Sequence, residues 1–178
     1  QNGEIDFDQK RLETIQRGAL SRGGFLLEQY ISAIDERFAG ITIEQRARAV
    51  LELADWYQWN GSKRRASEQY EAVVKILTEG GQGGLMQAWF GQPVELPDNG
   101  VFWQPPLPGP ETEPSVVTAT YDVTSQGSVK KLSVDVEGEA PVYRFKRELK
   151  NTRFRPRYDT DGESVYVEKL SREYELYD

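Results

Sequence analysis

The 178-residue chain contains no cysteine and no histidine. The first absence removes disulfides and thiol chemistry, and it leaves the compartment open, because a cysteine-free chain suits oxidising and reducing surroundings alike. The second removes the Ser-His and Cys-His pairs of nucleophilic catalysis, and a zinc site would need an unusual all-oxygen shell. Apolar runs are only a few residues long, too short to span a bilayer. Positive charge is the lesser sign: 22 Lys and Arg against 29 Asp and Glu give a net charge of −7, which argues against broad nucleic-acid binding. Hydrophobic residues make up 38%, on the low side but enough for a core, and the length suits one domain or two small ones. The chain starts at Gln1, and a start without methionine suggests that a signal peptide or other upstream portion has been removed.

The first half reads as helices. Phe7, Leu12, Ile15 and Leu20 give a weak helical pattern that Gly23-Gly24 is expected to end. Over residues 25–38 the stripe is stronger, with Leu26, Leu27, Tyr30, Ile31, Ile34 and Phe38, and Ala39-Gly40 closes it. Thr42 and Gln45 have the spacing of a capping box opening a third helix, which runs to about Trp59. Asn60-Gly61-Ser62 breaks the chain, and a fourth helix spans residues 63–78 with Ala66, Tyr70, Val73 and Ile76 inward. Leu53-Ala54, Tyr57, Gly61, Ala66 and Tyr70 resemble one tetratricopeptide repeat, in which small residues let two antiparallel helices approach. One such repeat cannot bury its own faces, so the earlier helices, or further repeats upstream, are expected to stack on it.

Glu79-Gly-Gly-Gln-Gly-Gly84 predicts a flexible break, and Leu85 to Phe90 a helical turn or two. Residues 91–114 then read as a loop ending in a proline-rich, semi-rigid spacer. Phe102 and Trp103 within it are too apolar for a free linker and are expected to dock on a neighbouring unit.

Residues 115–177 carry the most organised pattern. Val-, Thr- and Tyr-rich residues 115–123 predict a strand, Thr124 to Ser128 a turn in which Gly127 takes positive φ, and the alternation of Leu132, Val134 and Val136 a second strand. Val142, Phe145 and Leu149 then fall on one stripe of a helix running to about Asn151, opened by Pro141, which must lie on the sheet. Thr152 to Tyr158 reads as extended, since Pro156 disfavours a helical Arg155. Asp159 to Gly162 turns the chain, and residues 165–177 return as a strand. Its apolar residues fall on both parities, Val165 and Val167 against Tyr166, Leu170, Tyr174 and Leu176, which leaves a bulge or a two-faced strand open.

The ordered series Tyr121-Asp122-Val123-Thr124, Gly127, Val129, Phe145 to Asn151, Arg153-Phe154-Arg155-Pro156, Gly162 and Val165 resembles the C-terminal domain of the TonB family, over about 60 residues. That resemblance implies a three-stranded antiparallel sheet with a helix on one face. The family's Tyr-Pro preamble is replaced here by Pro108-Gly-Pro-Glu-Thr-Glu-Pro114, and its membrane helix and long proline-rich reach are not found in this sequence. In that family a short box segment of an outer-membrane transporter adds to the final strand. Carried over, the partner-binding residues are Val165, Tyr166, Val167, Glu168, Lys169, Leu170, Ser171 and Arg172, with Glu173 and Glu175 available for specificity or for protecting the edge.

Other constellations have plainer readings. Asp159 with Asp161, and Glu137 with Glu139, are solvated turns rather than catalytic pairs, and a calcium loop counted from Asp159 would need an acid where Leu170 stands. The cations Arg144, Lys146, Arg147, Lys150, Arg153, Arg155 and Arg157 form a patch suited to an anionic lipid, a cell-wall polymer or nucleic acid, or simply a solvated helix face balanced by the acidic C-terminal run. Trp56 and Trp59 read as packing residues.

The expected fold is therefore α+β: an N-terminal antiparallel helical, tetratricopeptide-like unit over 1–84, a Pro-rich spacer over 85–114, and a small TonB-like domain over 115–178. The expected function is non-enzymatic protein binding in the bacterial periplasm through the sheet edge, linked to energy transduction or transport at the outer membrane, with no catalytic residue, metal or cofactor. The alternative is a cell-envelope scaffold whose sheet edge is filled by its own spacer or by a second copy.

Overall fold

A computed structural model of the chain describes residues 22–34, 40–96, 115–136 and 142–176. The protein is mixed α+β, with five helices and antiparallel sheets of two or three strands among the described residues. The expected segment 7–19, the spacer with Phe102 and Trp103, Glu137, Glu139 and Pro141 lie outside those residues.

Helix α1 covers residues 22–34 and includes Gly23 and Gly24, which corrects the expectation that they end a helix. They are there to be thin. A Cβ on Gly24 would lie 2.6 Å from the Trp56 ring and one on Gly23 2.8 Å from its indole nitrogen, so the glycines let the ring lie directly on the helix backbone. Helix α2 is Ile43–Trp59, opened by the capping box: the Gln45 N–H donates to Thr42 Oγ1 at 3.2 Å and the Thr42 N–H to Gln45 Oε1 at 3.0 Å. After Gly61 (φ 76°) the chain turns into α3, Lys63–Glu79, and then into α4, Gly83–Phe90. Leu53, Ala54, Tyr57, Ala66, Tyr70, Val73 and Leu77 form the helical core. Phe90 closes it, its ring edge-on to Tyr70 at 6.0 Å and to Tyr158 at 5.2 Å.

Strands β2 (Ser115–Val123), β3 (Val129–Val136) and β7 (Val167–Leu176) form an antiparallel sheet in the order β3-β2-β7. Gly127 sits in the β2–β3 turn at φ 68°, where a side chain would meet the Phe154 carbonyl oxygen at 1.9 Å. Helix α5, Val142–Asn151, lays Leu149 and Phe145 on one sheet face against Ala119, Tyr121, Leu132, Val134 and Tyr174. The Phe145 and Tyr174 rings lie 5.1 Å apart.

Two short ribbons flank this sheet. Val94–Glu95 (β1) pairs with Phe154–Arg155 (β4), so residues 91–96 are not the plain loop expected; a strand of two residues carries no readable period. Arg157–Tyr158 (β5) pairs with Ser164–Val165 (β6), so the expected strand over 165–177 is interrupted at Tyr166 before β7 begins.

The extended run from Phe154 to Tyr158 ties the two cores together. Phe154 is fully buried in the sheet cluster, whereas Tyr158 is buried in the helical one. Between them Arg155 reaches back to α2, donating to both carboxylate oxygens of Asp55 at 3.0 and 2.5 Å and to the Trp89 carbonyl at 3.2 Å. Asp55 also accepts from the Tyr70 hydroxyl, whose pKa is pushed well up by burial and by that carboxylate. One turn on, the buried Gln58 amide donates to the Gln126 and Phe154 carbonyls, each at 2.8 Å.

Two outcomes check this construction. Leu149→Ala, which empties the space between α5 and the sheet, should destabilise the protein by about 2–5 kcal/mol in urea unfolding. Asp55→Ala leaves a largely buried guanidinium unpaired and should cost about 3–5 kcal/mol. Hydrogen exchange in that variant should speed up together in α2–α3 and in β2, since both sides lean on Arg155; acceleration limited to α2 would show that the cores are independent.

Candidate functional site

The candidate site is the β7 edge, and its shape is set by a residue on the neighbouring strand. Asp122 is a poor strand former placed in a Val/Thr/Tyr run. Thr120 faces Ser133 whereas Asp122 faces Lys130, so β3 carries one residue more than β2 over that interval. Likewise Tyr121 faces Leu170 whereas Val123 faces Val167, so β7 carries an extra residue too. Both neighbours of β2 therefore bulge at the level of Asp122.

The backbone records it. Lys131 (φ 49°) and Lys169 (φ 52°) are the non-glycine residues with positive φ among those described, and one lies in each bulge. That conformation costs an L-residue on the order of 1–2 kcal/mol, so something must hold it. Asp122 does. Its Oδ1 accepts the Lys169 N–H at 2.9 Å, and its Oδ2 accepts the Tyr166 hydroxyl at 2.7 Å and the Lys131 ammonium at 2.9 Å. The Asp122 side chain is only 4% exposed, and the Tyr166 hydroxyl, the Lys169 N–H and the Lys131 ammonium together lower its pKa to about 2. The same bonds raise the Tyr166 hydroxyl and Lys131 above their ordinary values.

The residues expected to bind a partner do not form one continuous edge. Val165 belongs to the ribbon with β5, opposite Arg157. Tyr166 is partly exposed and holds Asp122, and Val167 stands opposite Val123. Glu168 is exposed, 4.0 Å from the Lys131 ammonium, and Lys169 sits in the bulge. Leu170 turns in to the sheet core, and Ser171 faces out opposite Thr120. Arg172 turns inward: it donates to Glu95 at 3.0 Å and to the Pro93 carbonyl at 3.2 Å, and its guanidinium lies over the Phe154 ring at 5.5 Å. Beside it the Tyr121 hydroxyl meets the Tyr174 hydroxyl at 2.9 Å, and Tyr174 donates to Glu95 at 3.0 Å. Burial and these partners push the Tyr174 pKa well up.

The structure thus separates a lower part, tied into Asp122, from an upper part over Leu170–Leu176 in which side chains alternate. Leu170, Arg172, Tyr174 and Leu176 face the covered side, and Ser171, Glu173 and Glu175 face solvent. Glu173 and Glu175 stand opposite Thr118 and Val116, and Asp135 on β3 also faces Thr118. This outer face is hydroxylic and acidic. Asp122 was not singled out by the sequence pattern, although an acid inside a β-prone run and the parity switch between Val167 and Leu170 both mark the spot.

Of the other features, Asp159 is engaged as a turn residue, its Oδ1 accepting the Asp161 and Glu163 N–H groups at 3.0 Å each. Arg155 and Arg144 of the basic stretch are paired, with Asp55 and Glu148. A cavity of about 490 Å³ between α3, α4 and β5 is lined by Gly81, Gly83, Gln87, Arg157 and Tyr158, away from the β7 edge.

Because the folded pKa of Asp122 lies below its unfolded value of about 3.8, the carboxylate stabilises the fold fully above about pH 4 and ceases to as pH falls through about 2. Asp122→Asn removes that titration. Urea midpoints of the two proteins should differ most above pH 4 and converge toward pH 2, and a gap that stays constant across that window would show that the carboxylate charge does not hold the bulges. Comparison with protein-family models, with curated proteins and with solved structures found no match to this chain.

Proposed function

We propose that the protein is a non-enzymatic, periplasmic protein-interaction module of the TonB type, which takes up an extended segment of a partner along the outer edge of β7. The observation that carries this is topological: among the described residues, β7 is hydrogen-bonded to β2 on one side and ends the sheet on the other. An antiparallel edge strand points alternate N–H and C=O groups outward, and these accept a further strand. The ordered motif series over residues 115–165, and the packing of α5 on the same sheet, support the likeness to that family. The helical unit serves as a fixed mount, since Arg155 and Gln58 hold it to the sheet. In such a role the partner is a segment of an outer-membrane transporter, and the module contributes to energy transduction or transport there.

The test is a titration of the isotope-labelled chain with extended peptides copied from transporter box segments. Backbone amide shifts should concentrate in β7, and Ser171→Pro, which disrupts that strand, should abolish them while the α2–α3 signals stay in place. Unchanged binding in the proline variant would remove β7 as the receiving edge. Protected β7 amides with no response to any peptide would instead favour the scaffold alternative, with the edge already filled.

A further inference from the structure

We infer that the cavity between α3, α4 and the β5–β6 turn binds a small organic anion, a carboxylate or phosphate monoester with a short apolar body, whose charged group meets Arg157 and the first turn of α4. The inference is independent of the edge-binding function proposed above, because the cavity is walled by other elements than β7.

The cavity is built before any ligand arrives. Its volume of about 490 Å³ suits a small molecule. On one side, the turn after β5 is closed by the Asp159 N–H to the Glu163 carbonyl at 3.0 Å and by the Gly162 N–H to the Asp159 carbonyl at 3.2 Å. Gly162 (φ 83°) presses that turn onto α3, where a Cβ would lie 3.1 Å from Val74. On the other side, Gly81 (φ 65°) turns α3 into α4, and the Gln82 N–H donates to the Leu77 carbonyl at 2.8 Å. Tyr158 joins the two sides, lining the cavity while its ring packs edge-on to Phe90 in the helical core at 5.2 Å.

Positive charge reaches the cavity from two elements. Arg157 lines it, and among the described residues this side chain has no carboxylate partner and its buried Nε–H has no acceptor. Arg155 and Arg172, also partly buried, are each held by a carboxylate, Asp55 and Glu95. A partly buried guanidinium without such a partner is unfavourable, and a carboxylate or phosphate group satisfies it with charge-assisted hydrogen bonds. The second element is the start of the eight-residue helix α4. Its backbone bonding begins with the Met86 N–H to the Gln82 carbonyl at 3.0 Å, which leaves the N–H groups of Gly83, Gly84 and Leu85 to outside acceptors. The Gln82 side chain makes no capping bond and the first turn holds no acidic residue, so the positive end of the helix is not neutralised. Gly83 lines the cavity together with Arg157. Asp159 lines it as well, but its Oδ1 is bound to the Asp161 and Glu163 N–H groups within its own turn, so the place for an anion is on the α4 side. Leu77, Met86 and Tyr158 give the remaining wall its apolar character, which fits the body of the ligand.

The experiment uses the isotope-labelled full chain with phenyl phosphate, benzoate and, as their neutral counterpart, benzyl alcohol. At least one of the anions should move the Arg157 Nε–H signal and the amides of residues 81–85, and the tighter of the two assigns the head group. Benzyl alcohol should bind about tenfold or more weakly. Arg157→Gln should weaken anion binding about tenfold or more with Tm unchanged, since the side chain has no ion pair to lose. Gly83→Asp stands where a Cβ meets nothing within 4 Å and places a carboxylate at the helix start, so it should hold or raise Tm while abolishing anion binding. Should Arg157→Gln fail to fold, Gly83→Asp decides. Benzyl alcohol bound as tightly as the anions, or anion binding unchanged in the folded variants, would overturn the inference. Shifts confined to the exposed α5 cations Arg147 and Lys150, or no response at all, would overturn it too. Each of these outcomes leaves strand addition at β7 untouched.

Discussion

The ion pair between Arg155 and Asp55 is the contact on which the arrangement of the whole chain depends. The α2–α3 hairpin and the β3-β2-β7 sheet each have a core, and neither core by itself fixes the position of the other. The run Phe154 to Tyr158 solves this: Phe154 enters the sheet core, the next side chain, Arg155, points the opposite way to α2, and Tyr158 further along enters the helical core. Arg155 lies between them with its side chain 14% exposed, where a guanidinium without a partner would be strongly unfavourable. Asp55, the Trp89 carbonyl and the face of the Phe90 ring satisfy it together. Gln58, one turn further along α2, then holds the β2–β3 turn that Gly127 makes thin enough to approach.

Part of this was legible in the sequence. Local signals read well because their physics is local: the Thr42–Gln45 capping box, the Gly127 turn, and the stripe of Phe145 and Leu149 are each decided within a few residues. The mixed α+β class follows from those periods, whereas the antiparallel pairing of the strands over residues 115–176 was expected only from the resemblance. What failed has a common cause in partners distant along the chain. Gly23 and Gly24 look like a stop but serve Trp56, more than 30 residues on. The pairing of Val94–Glu95 with Phe154–Arg155 joins two segments about 60 residues apart, and neither is long enough to show a period of two. The candidate edge was placed on a stretch of chain that is partly β6, partly bulge and partly β7, because a sequence window sees parity but not which residue has slipped out of register.

The bulges show why the slip matters. A sheet of three strands has two edges, and two unguarded edges invite pairing with copies of the same chain as readily as with a chosen partner. Asp122 interrupts both at one level, using a single carboxylate on the central strand to draw Lys131 from one side and Lys169 from the other. The same carboxylate leaves the upper part of β7 regular. Edge protection and edge presentation are therefore products of one buried charge, and they cannot be tuned separately by changing it.

The rigid mount gives that presentation its direction. Glu95, within the ribbon that pairs with Phe154–Arg155, takes Arg172 and Tyr174 from the covered face of β7, and the ribbon's other strand carries Arg155, anchored to α2. The chain of contacts from Asp55 through Arg155, β4, β1 and Glu95 to Arg172 thus reaches from the helical core to the strand that would receive a partner. Ordering that strand in advance lowers the entropy lost when a flexible segment joins it, since only the segment must then be immobilised. Under the proposed function the helices contribute to recognition by stiffness, without needing to touch the partner.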